Sequence, residues 1–257
     1  MTQEQQMDDL IRCLLAERKE YQDIGVPSKL PDKRRLLRSL MNVRPPAPVS
    51  KEFLRAQDAY LQERLVQRGV TRLQDLTPVR PGLYLWQGDI TTLAVDAIVN
   101  AANSGMTGCY IPCHGCIDNA IHTYAGIQLR LECARIMAGQ RGEEPVGQAK
   151  ITKAYNLPCR YVLHTVGPMI EGAVTKTDRE QLSSCYRSCL DLAAANGLHS
   201  VAFCCISTGE FHFPNELAAQ IAIETVRDWQ RQNPDKIEVI FNVFKDSDRE
   251  LYKRLLG

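Results

Sequence analysis

From residue 82 onward, short apolar runs alternate with segments of helical periodicity, and this alternation restricts the chain to few architectures. Six runs have the length of strands: LYLW (83–86), DAIVN (96–100), AKITKAY (149–155), RYVLHTV (160–166), VAFCCI (201–206) and IEVIFNVF (237–244). Helical segments are predicted between them, at about 119–138, 178–196 and 214–229. The pattern favours an α/β fold with a parallel or mixed sheet and helices on both faces, in three α/β/α layers.

The first 80 residues have a different, all-helical pattern. Three stripes at helical spacing are formed by Leu10, Ile11, Leu14 and Leu15, by Leu36, Leu37, Leu40 and Met41, and by Leu54, Asp58, Leu61 and Leu65. The proline-rich RPPAPVS (44–50) separates the second helix from the third. We predict a helical extension over 1–80 and an α/β domain over 81–257. Because such short helices are marginally stable alone, we expect the extension to pack on the domain.

Charge and hydropathy exclude some classes of partner. The net charge of +1 gives no bulk attraction for nucleic acid or an anionic membrane. No apolar run approaches the roughly 20 residues that span a bilayer. The segment MTQEQQMDDL lacks the pattern of a signal peptide. We therefore expect a cytoplasmic protein whose ten cysteines are reduced.

One glycine-containing loop, GCYIPCHGC (108–116), concentrates three cysteines around His114. Thiolates and imidazole are the preferred ligands of zinc. A structural zinc site with all its ligands in one short loop would clamp little of the chain. A catalytic site with three protein ligands and one open position explains the loop better. A redox pair of Cys113 and Cys116 is the alternative, although the context of a thioredoxin motif is missing.

Three loops follow predicted strands, where α/β sheets bind ligands. They are QGDIT (87–91), NAANSGMTGCYIPCHGC (100–116) and STGEFHFP (207–214). The third loop has small residues and precedes a helix, which suits a phosphate group, although a simple tight turn is the alternative. Phe211 and Phe213 in this loop could stack on a ring or a sugar, or could be buried against the sheet.

The motifs GDIT, VDAIVNAANS, IDNAIH and ISTGEFHFP, in this order, resemble those of the macrodomain family, the ADP-ribose-binding fold. The resemblance covers residues 82–257. The cysteine-rich loop and the helical extension resemble one branch in particular, the zinc-dependent microbial macrodomain ADP-ribosyl hydrolases. Other macrodomain hydrolases have a run of glycines where this chain has GCYIPCHGC.

The resemblance implies a role for individual residues in binding ADP-ribose. Asp89 would accept a hydrogen bond from the adenine amino group, supported by the backbone of Ile90. Asn100 and Asn103 would line the distal ribose. The loop around the diphosphate would comprise Ser207, Thr208, Gly209, Glu210 and Phe211, with Phe213 near the distal ribose, His212 touching the ligand, and Phe244 matched more weakly to the adenine border.

The resemblance also implies the catalytic groups. Asp118 matches an aspartate that positions or activates the attacking water, and Asn103 belongs to the same group. One zinc ion would be held by Cys109, His114 and Cys116. Cys113 is expected to point away, because adjacent Cys113 and His114 would strain to share one metal. The zinc could hold a ribose hydroxyl, polarise the leaving oxygen, or lower the pKa of bound water to about 7.

The predicted function is zinc-dependent hydrolysis of mono-ADP-ribose from protein side chains, most readily Asp or Glu esters, with release of ADP-ribose. The partners would be ADP-ribose and the mono-ADP-ribosylated protein. Two alternatives are a non-catalytic reader of ADP-ribose and an O-acetyl-ADP-ribose deacetylase. The cysteine-rich loop and Asp118 argue against a reader, because simple binding requires neither. His122 and His164 lie in apolar patterns and are predicted to be interior residues.

Overall fold

The computed structural model describes residues 2–257, and its first three helices are α1 (Gln3–Ala16), α2 (Leu30–Val43) and α3 (Lys51–Arg68). The stripe predicted for α1 is buried. In α3 the buried side is instead Phe53, Gln57, Tyr60, Leu61 and Leu65. Gln57 is buried because its side chain accepts from the Ile127 amide and donates to Gln128. Hydrophobic periodicity alone cannot detect such a polar contact.

Seven strands form one sheet, and two more form a small parallel pair. The strands are β1 (Thr71–Arg72), β2 (Pro78–Arg80), β3 (Leu83–Gln87), β4 (Leu93–Ala94), β5 (Ala97–Ala101), β6 (Ala149–Lys153), β7 (Tyr161–Thr165), β8 (Ser200–Phe203) and β9 (Glu238–Val243). The large sheet has the order β2-β3-β9-β8-β5-β7-β6. Its five inner strands are parallel and its two edge strands antiparallel, so the predicted mixed sheet is confirmed. β2 lies at the end of the predicted extension and belongs to this sheet.

The other helices are α4 (Ile117–Ala125), α5 (Ile127–Ala138), α6 (Lys176–Ala195), α7 (Asn215–Gln232) and α8 (Asp246–Leu256). α6, α7 and α8 pack together, while α4 and α5 form a second group on which α2 packs. With the sheet between these groups, the fold has the predicted three layers. α8 was not predicted, because only Asp248, Tyr252 and Leu256 of its 11 residues are buried. No helix within residues 2–257 is long and apolar enough to cross a membrane.

The single helix predicted over 119–138 is wrong, since Gly126 divides it into α4 and α5. The φ angle of Gly126 is 95°, a conformation that favours glycine. A Cβ atom at this position would lie 2.6 Å from Nε2 of Gln57 in α3. The break is therefore required by the close approach of the helical extension to the turn between α4 and α5.

The carboxyl ends of the parallel strands position the site. β3, β5 and β8 all run in the same direction, so the loops that follow them emerge at one edge of the sheet. These loops contain the residues 87–91, 100–116 and 207–214. The structure thus brings the three candidate ligand-binding loops to the same edge.

Candidate functional site

Three side chains of the cysteine-rich loop converge in a group that could hold a metal ion. The potential ligand atoms of Cys109, His114 and Cys116 all lie within 4.8 Å of one another. Sγ of Cys109 is 3.7 Å from Nδ1 of His114. Two sulfur donors and one imidazole fit the chemistry of zinc. This is the ligand set that the resemblance implied.

Cys116 has a second local role as the N-terminal cap of α4. Its Sγ accepts a hydrogen bond from the Asn119 amide at 3.4 Å. Burial raises the pKa of the Cys116 thiol, and the neighbouring Cys109 and Asp118 act in the same direction. A divalent cation would reverse this balance, because a coordinating thiol is deprotonated.

Cys113 points away from this group, as expected. Its φ angle is 53°, and this left-handed conformation turns the side chain toward α2. Sγ of Cys113 lies 3.2 Å from Oγ of Ser39 and 3.4 Å from the carbonyl oxygen of Arg35. Its amide donates to Oδ1 of Asn42. Cys113 therefore anchors the loop to the helical extension.

Two arginines that the sequence analysis missed hold the loop in place. Arg130 of α5 is buried and donates to five carbonyl oxygens, those of Thr107, Cys109, Met41, Asn42 and Arg44. Arg38 of α2 donates to the carbonyl of His114 and to Oδ1 of Asn119. An arginine within a helical pattern carries no sequence signal for such a role.

We predict that Arg130→Met lowers the free energy of unfolding by about 3 kcal/mol, because carbonyls of the loop and of α2 lose a buried charged donor. Urea unfolding measures this change. Arg135→Met is the matched control on the same helix, since Arg135 is exposed, and should change the value by less than about 0.5 kcal/mol. Equal effects of the two substitutions would contradict the role of Arg130.

Asp118 lies in the first turn of α4 and is held by two asparagines. Its carboxylate accepts from Nδ2 of Asn100 at 2.8 Å and from Nδ2 of Asn103 at 3.3 Å. Burial raises its pKa to about 6, although the Asn100 hydrogen bond and the charge of Arg130 oppose the change. A fixed carboxylate whose pKa is near neutrality suits a general base.

Asn100 lies beneath Asp118 and is completely buried. Its Nδ2 is also 3.2 Å from Nδ1 of His164, whose Nε2 lies 2.9 Å from Oγ1 of Thr152. Oδ1 of Asn100 has no hydrogen-bond partner within residues 2–257. The side chain that was predicted to line the ribose thus supports the carboxylate, and its contact with a ligand stays a prediction.

His122 and His164 are buried, as predicted. They form a second close group with Cys133. Burial lowers the pKa of both histidines and raises the pKa of Cys133 to about 12, so the three side chains are uncharged at neutral pH. Nε2 of His122 lies 3.5 Å from Oδ1 of Asp118. We interpret the group as the polar interior behind Asp118.

The loop that follows β8 has the geometry of an anion-binding loop. Ser207 and His212 have φ angles of 65° and 54°, and the loop between them is exposed at Gly209 and Glu210. The amides of residues 209–211 donate to no protein acceptor within residues 2–257. Consecutive free amides suit a phosphate group.

The two phenylalanines of this loop differ in position. Phe211 is half-buried and packs against the small cluster of Ala102, Met106 and Val166. Phe213 is 1% exposed and belongs to the main core. The structure therefore gives Phe213 the packing role that was the alternative in the sequence analysis, with almost no side-chain surface for a ligand.

Asp89 and Ile90 lie at the other end of the same edge. Asp89 forms an ion pair with Arg68 of α3 at 2.9 Å and accepts from the amide of Thr91. Ile90 is buried, so only its backbone could face a ligand, as predicted. Phe244, just after β9, is 75% exposed. A further residue from the extension, Arg68, thus reaches the predicted adenine position.

Glu210 connects the exposed loop to the metal-ligand group. Its Oε1 lies 3.5 Å from Nε2 of His114, while Nδ1 of the same ring faces Cys109. A carboxylate on the outer nitrogen of a ligand histidine fixes the orientation of the ring. Glu210 was predicted to lie near the diphosphate, and its contact with His114 was not predicted.

The fold is that of a macrodomain. A model of the family described as "Macro domain" matches residues 99–222. The macrodomain of Trypanosoma brucei in complex with ADP-ribose is similar in structure, with a TM-score of 0.67 and 32% identity, covering 85% of this chain and 95% of that chain.

Full-length relatives agree with the structural comparison. A protein-ADP-ribose hydrolase of Treponema medium is 57% identical over 100% of both chains. A protein of the same name from Staphylococcus aureus (strain MSSA476) is 49% identical over 96% of this chain and 93% of the relative. The chain therefore belongs to the macrodomain family, as its motifs predicted. The members to which it is similar over its full length are named as hydrolases.

Proposed function

We propose that this protein hydrolyses mono-ADP-ribose from modified side chains of proteins, with one zinc ion held by Cys109, His114 and Cys116. The observation that carries the proposal is the position of Asp118, a buried carboxylate two residues after a member of the candidate metal group. The names of the full-length relatives support hydrolysis. A reader would require neither the group nor the carboxylate.

Different residues at the sheet edge would bind different parts of the substrate. Asp89 and the backbone of Ile90 would bind the adenine, the free amides of 209–211 the diphosphate, and Asn103 the distal ribose. A zinc ion bound at the three ligands would supply a Lewis acid at the ribose end. Asn103 also donates to Asp118, so one side chain would link the sugar to the carboxylate.

Asp118 would accept a proton from the attacking water as a general base. Water then adds its hydroxyl to the carbon under attack, the bond between ADP-ribose and the side chain breaks, and the side chain leaves as a carboxylate. Asp and Glu esters are the proposed linkage, because esters are the easier bond to cleave. The proposed partners are ADP-ribose and the modified protein, and the cytoplasm stays the predicted location.

The function is tested by the release of free ADP-ribose from a protein modified on Asp or Glu, with and without a zinc chelator. We expect release that stops with the chelator and returns when zinc is added. Equal release in both samples would exclude the role of zinc, and no release would favour a reader. O-acetyl-ADP-ribose as a second substrate measures the competing deacetylase activity.

We predict that Glu210→Ala weakens zinc binding about tenfold, because the outer nitrogen of His114 loses its carboxylate. Competition with a chelator of known affinity measures the change. Glu210→Gln is the matched control, since its side-chain oxygen can still accept from the ring, and it should retain most of the affinity. Unchanged zinc affinity in Glu210→Ala would contradict this role.

A further inference from the structure

A pocket of about 430 Å³ lies between α2, α3 and α4, outside the edge described above. Its wall is formed mainly by side chains of the helical extension. None of the residues predicted to bind ADP-ribose lines it. The only residue of the cysteine-rich loop in its wall is Cys113. The pocket is therefore a separate site that borders the outer side of this loop.

The wall of the pocket is strongly cationic. Arg34, Arg35, Arg38 and Arg64 line it, and the lining contains no Asp or Glu. None of these four arginines forms an ion pair within residues 2–257. Nε of Arg34 is buried without a hydrogen-bond partner. Four cations gathered without a counter-charge favour an anionic ligand.

Arg34 and Arg64 both affect the ionisation of Tyr60, another residue of the pocket wall. Burial raises the pKa of Tyr60, and the positive charges of Arg64 and Arg34 oppose that change. Tyr60, Arg34 and Arg64 all line the pocket. Guanidinium groups bind carboxylates in bidentate geometry, which suits the side chains of Asp and Glu.

The size of the pocket excludes a single small ion as a fitting ligand, because about 430 Å³ lies in the range of sites for larger molecules. The position of the pocket indicates which larger anionic molecule would bind there. Cys113 precedes the candidate metal ligand His114, and Arg38 donates to the His114 carbonyl. The pocket therefore adjoins the loop that carries the candidate metal ligands, where the modified side chain would bind.

We propose that this cationic pocket binds acidic residues that flank the modified side chain of the substrate protein. The proposal rests on the proposed hydrolase function and adds a class of substrate, a protein segment rich in Asp and Glu. The helical extension, whose role the sequence left open, thus contributes substrate selection. Electrostatic attraction of this kind weakens as salt rises.

The test compares ADP-ribosylated peptides with acidic and with neutral flanking residues. The variant is Arg34→Ala with Arg64→Ala, since neither side chain forms a hydrogen bond or ion pair with the cysteine-rich loop. We expect KM for the acidic peptide to rise about tenfold, with kcat, KM for the neutral peptide and the Kd of ADP-ribose unchanged. The charge-matched control, Arg12→Ala with Arg187→Ala, removes two exposed arginines outside the pocket and should behave as the wild type.

The proposal is overturned if the wild type shows no preference for the acidic peptide, or if the double variant keeps that preference. A second measurement does not depend on turnover: an unmodified acidic peptide should bind the wild type and not the double variant, with fluorescence anisotropy as the readout. Hydrolysis of neither peptide by the wild type would refute the hydrolase function alone. Binding of inorganic phosphate without binding of the peptide would assign the pocket to small anions and overturn the proposal.

Discussion

Replacement of Cys116 by serine is expected to remove zinc from the protein and to lower kcat about a thousandfold, a loss of ~4 kcal/mol in transition-state stabilisation. Serine is the informative substitution because Sγ of Cys116 also caps α4. A serine hydroxyl can still cap the helix, but it is not the thiolate ligand that zinc prefers. The loss would therefore report on the metal and not on the helix.

Metal content by elemental analysis, kcat on the modified protein and the Kd of ADP-ribose measure this prediction together. The Kd should change less than tenfold, because the proposed adenine and diphosphate contacts lie on other loops. Cys113→Ser is the matched control within the same loop, since its Sγ faces Ser39 and the Arg35 carbonyl. It should keep zinc and activity. Normal hydrolysis by both Cys116→Ser and His114→Ala would show that the metal is not catalytic.

The second large effect is expected for Asp118→Asn, which should lower kcat by about 10²–10⁴-fold at unchanged zinc content. Asparagine has nearly the same shape as aspartate but cannot accept the proton of the attacking water. One of its side-chain atoms can still accept from Asn100 or Asn103. Asp118→Ala would instead remove one of the two partners of the Nδ2 of buried Asn100 and of half-buried Asn103, with a stability cost of about 1–3 kcal/mol.

Single-turnover kinetics and thermal unfolding of both variants separate catalysis from stability. We expect a melting temperature close to that of the wild type for Asp118→Asn and a lower one for Asp118→Ala, with similar losses of kcat. Full activity of the asparagine variant would remove Asp118 from the mechanism. A loss of zinc in that variant would mean that Asp118 acts on the metal site and not on water.

Local patterns were sufficient to predict most strands and several features of the site. The six predicted strands were found with small changes at their ends, since period and length identify buried strands well. The turn after α6 has Gly197 at a φ angle of 64°, as expected of a residue that follows a helix. The resemblance of GCYIPCHGC to the zinc-dependent branch implied the set Cys109, His114 and Cys116, whose ligand atoms lie within 4.8 Å of one another.

Errors arose where a contact across the chain overrode the local pattern. The break at Gly126 follows from the approach of Gln57, about 70 residues earlier, and a single glycine in the segment 119–138 does not by itself distinguish a break from a continuous helix. In α3, Gln57 is buried and Asp58 is only half-buried. The side-chain oxygen of Gln57 accepts a hydrogen bond from the Ile127 amide of the α/β domain. Phe213 lies in the main core, whereas Phe211, two residues earlier, packs against the separate cluster of Ala102, Met106 and Val166.

The sequence by itself determined the alternation of six strands with helices after residue 82 and the three loops that follow strands. Each of these depends on residues near one another in the chain. Only the tertiary structure decided that Asn100 supports Asp118, that Glu210 reaches His114, and that Arg130 and the cationic pocket surround the cysteine-rich loop. These contacts join residues that are separated in the sequence. Hydrophobic periodicity predicts which side of a helix or strand is buried, but it does not predict which element packs against that side.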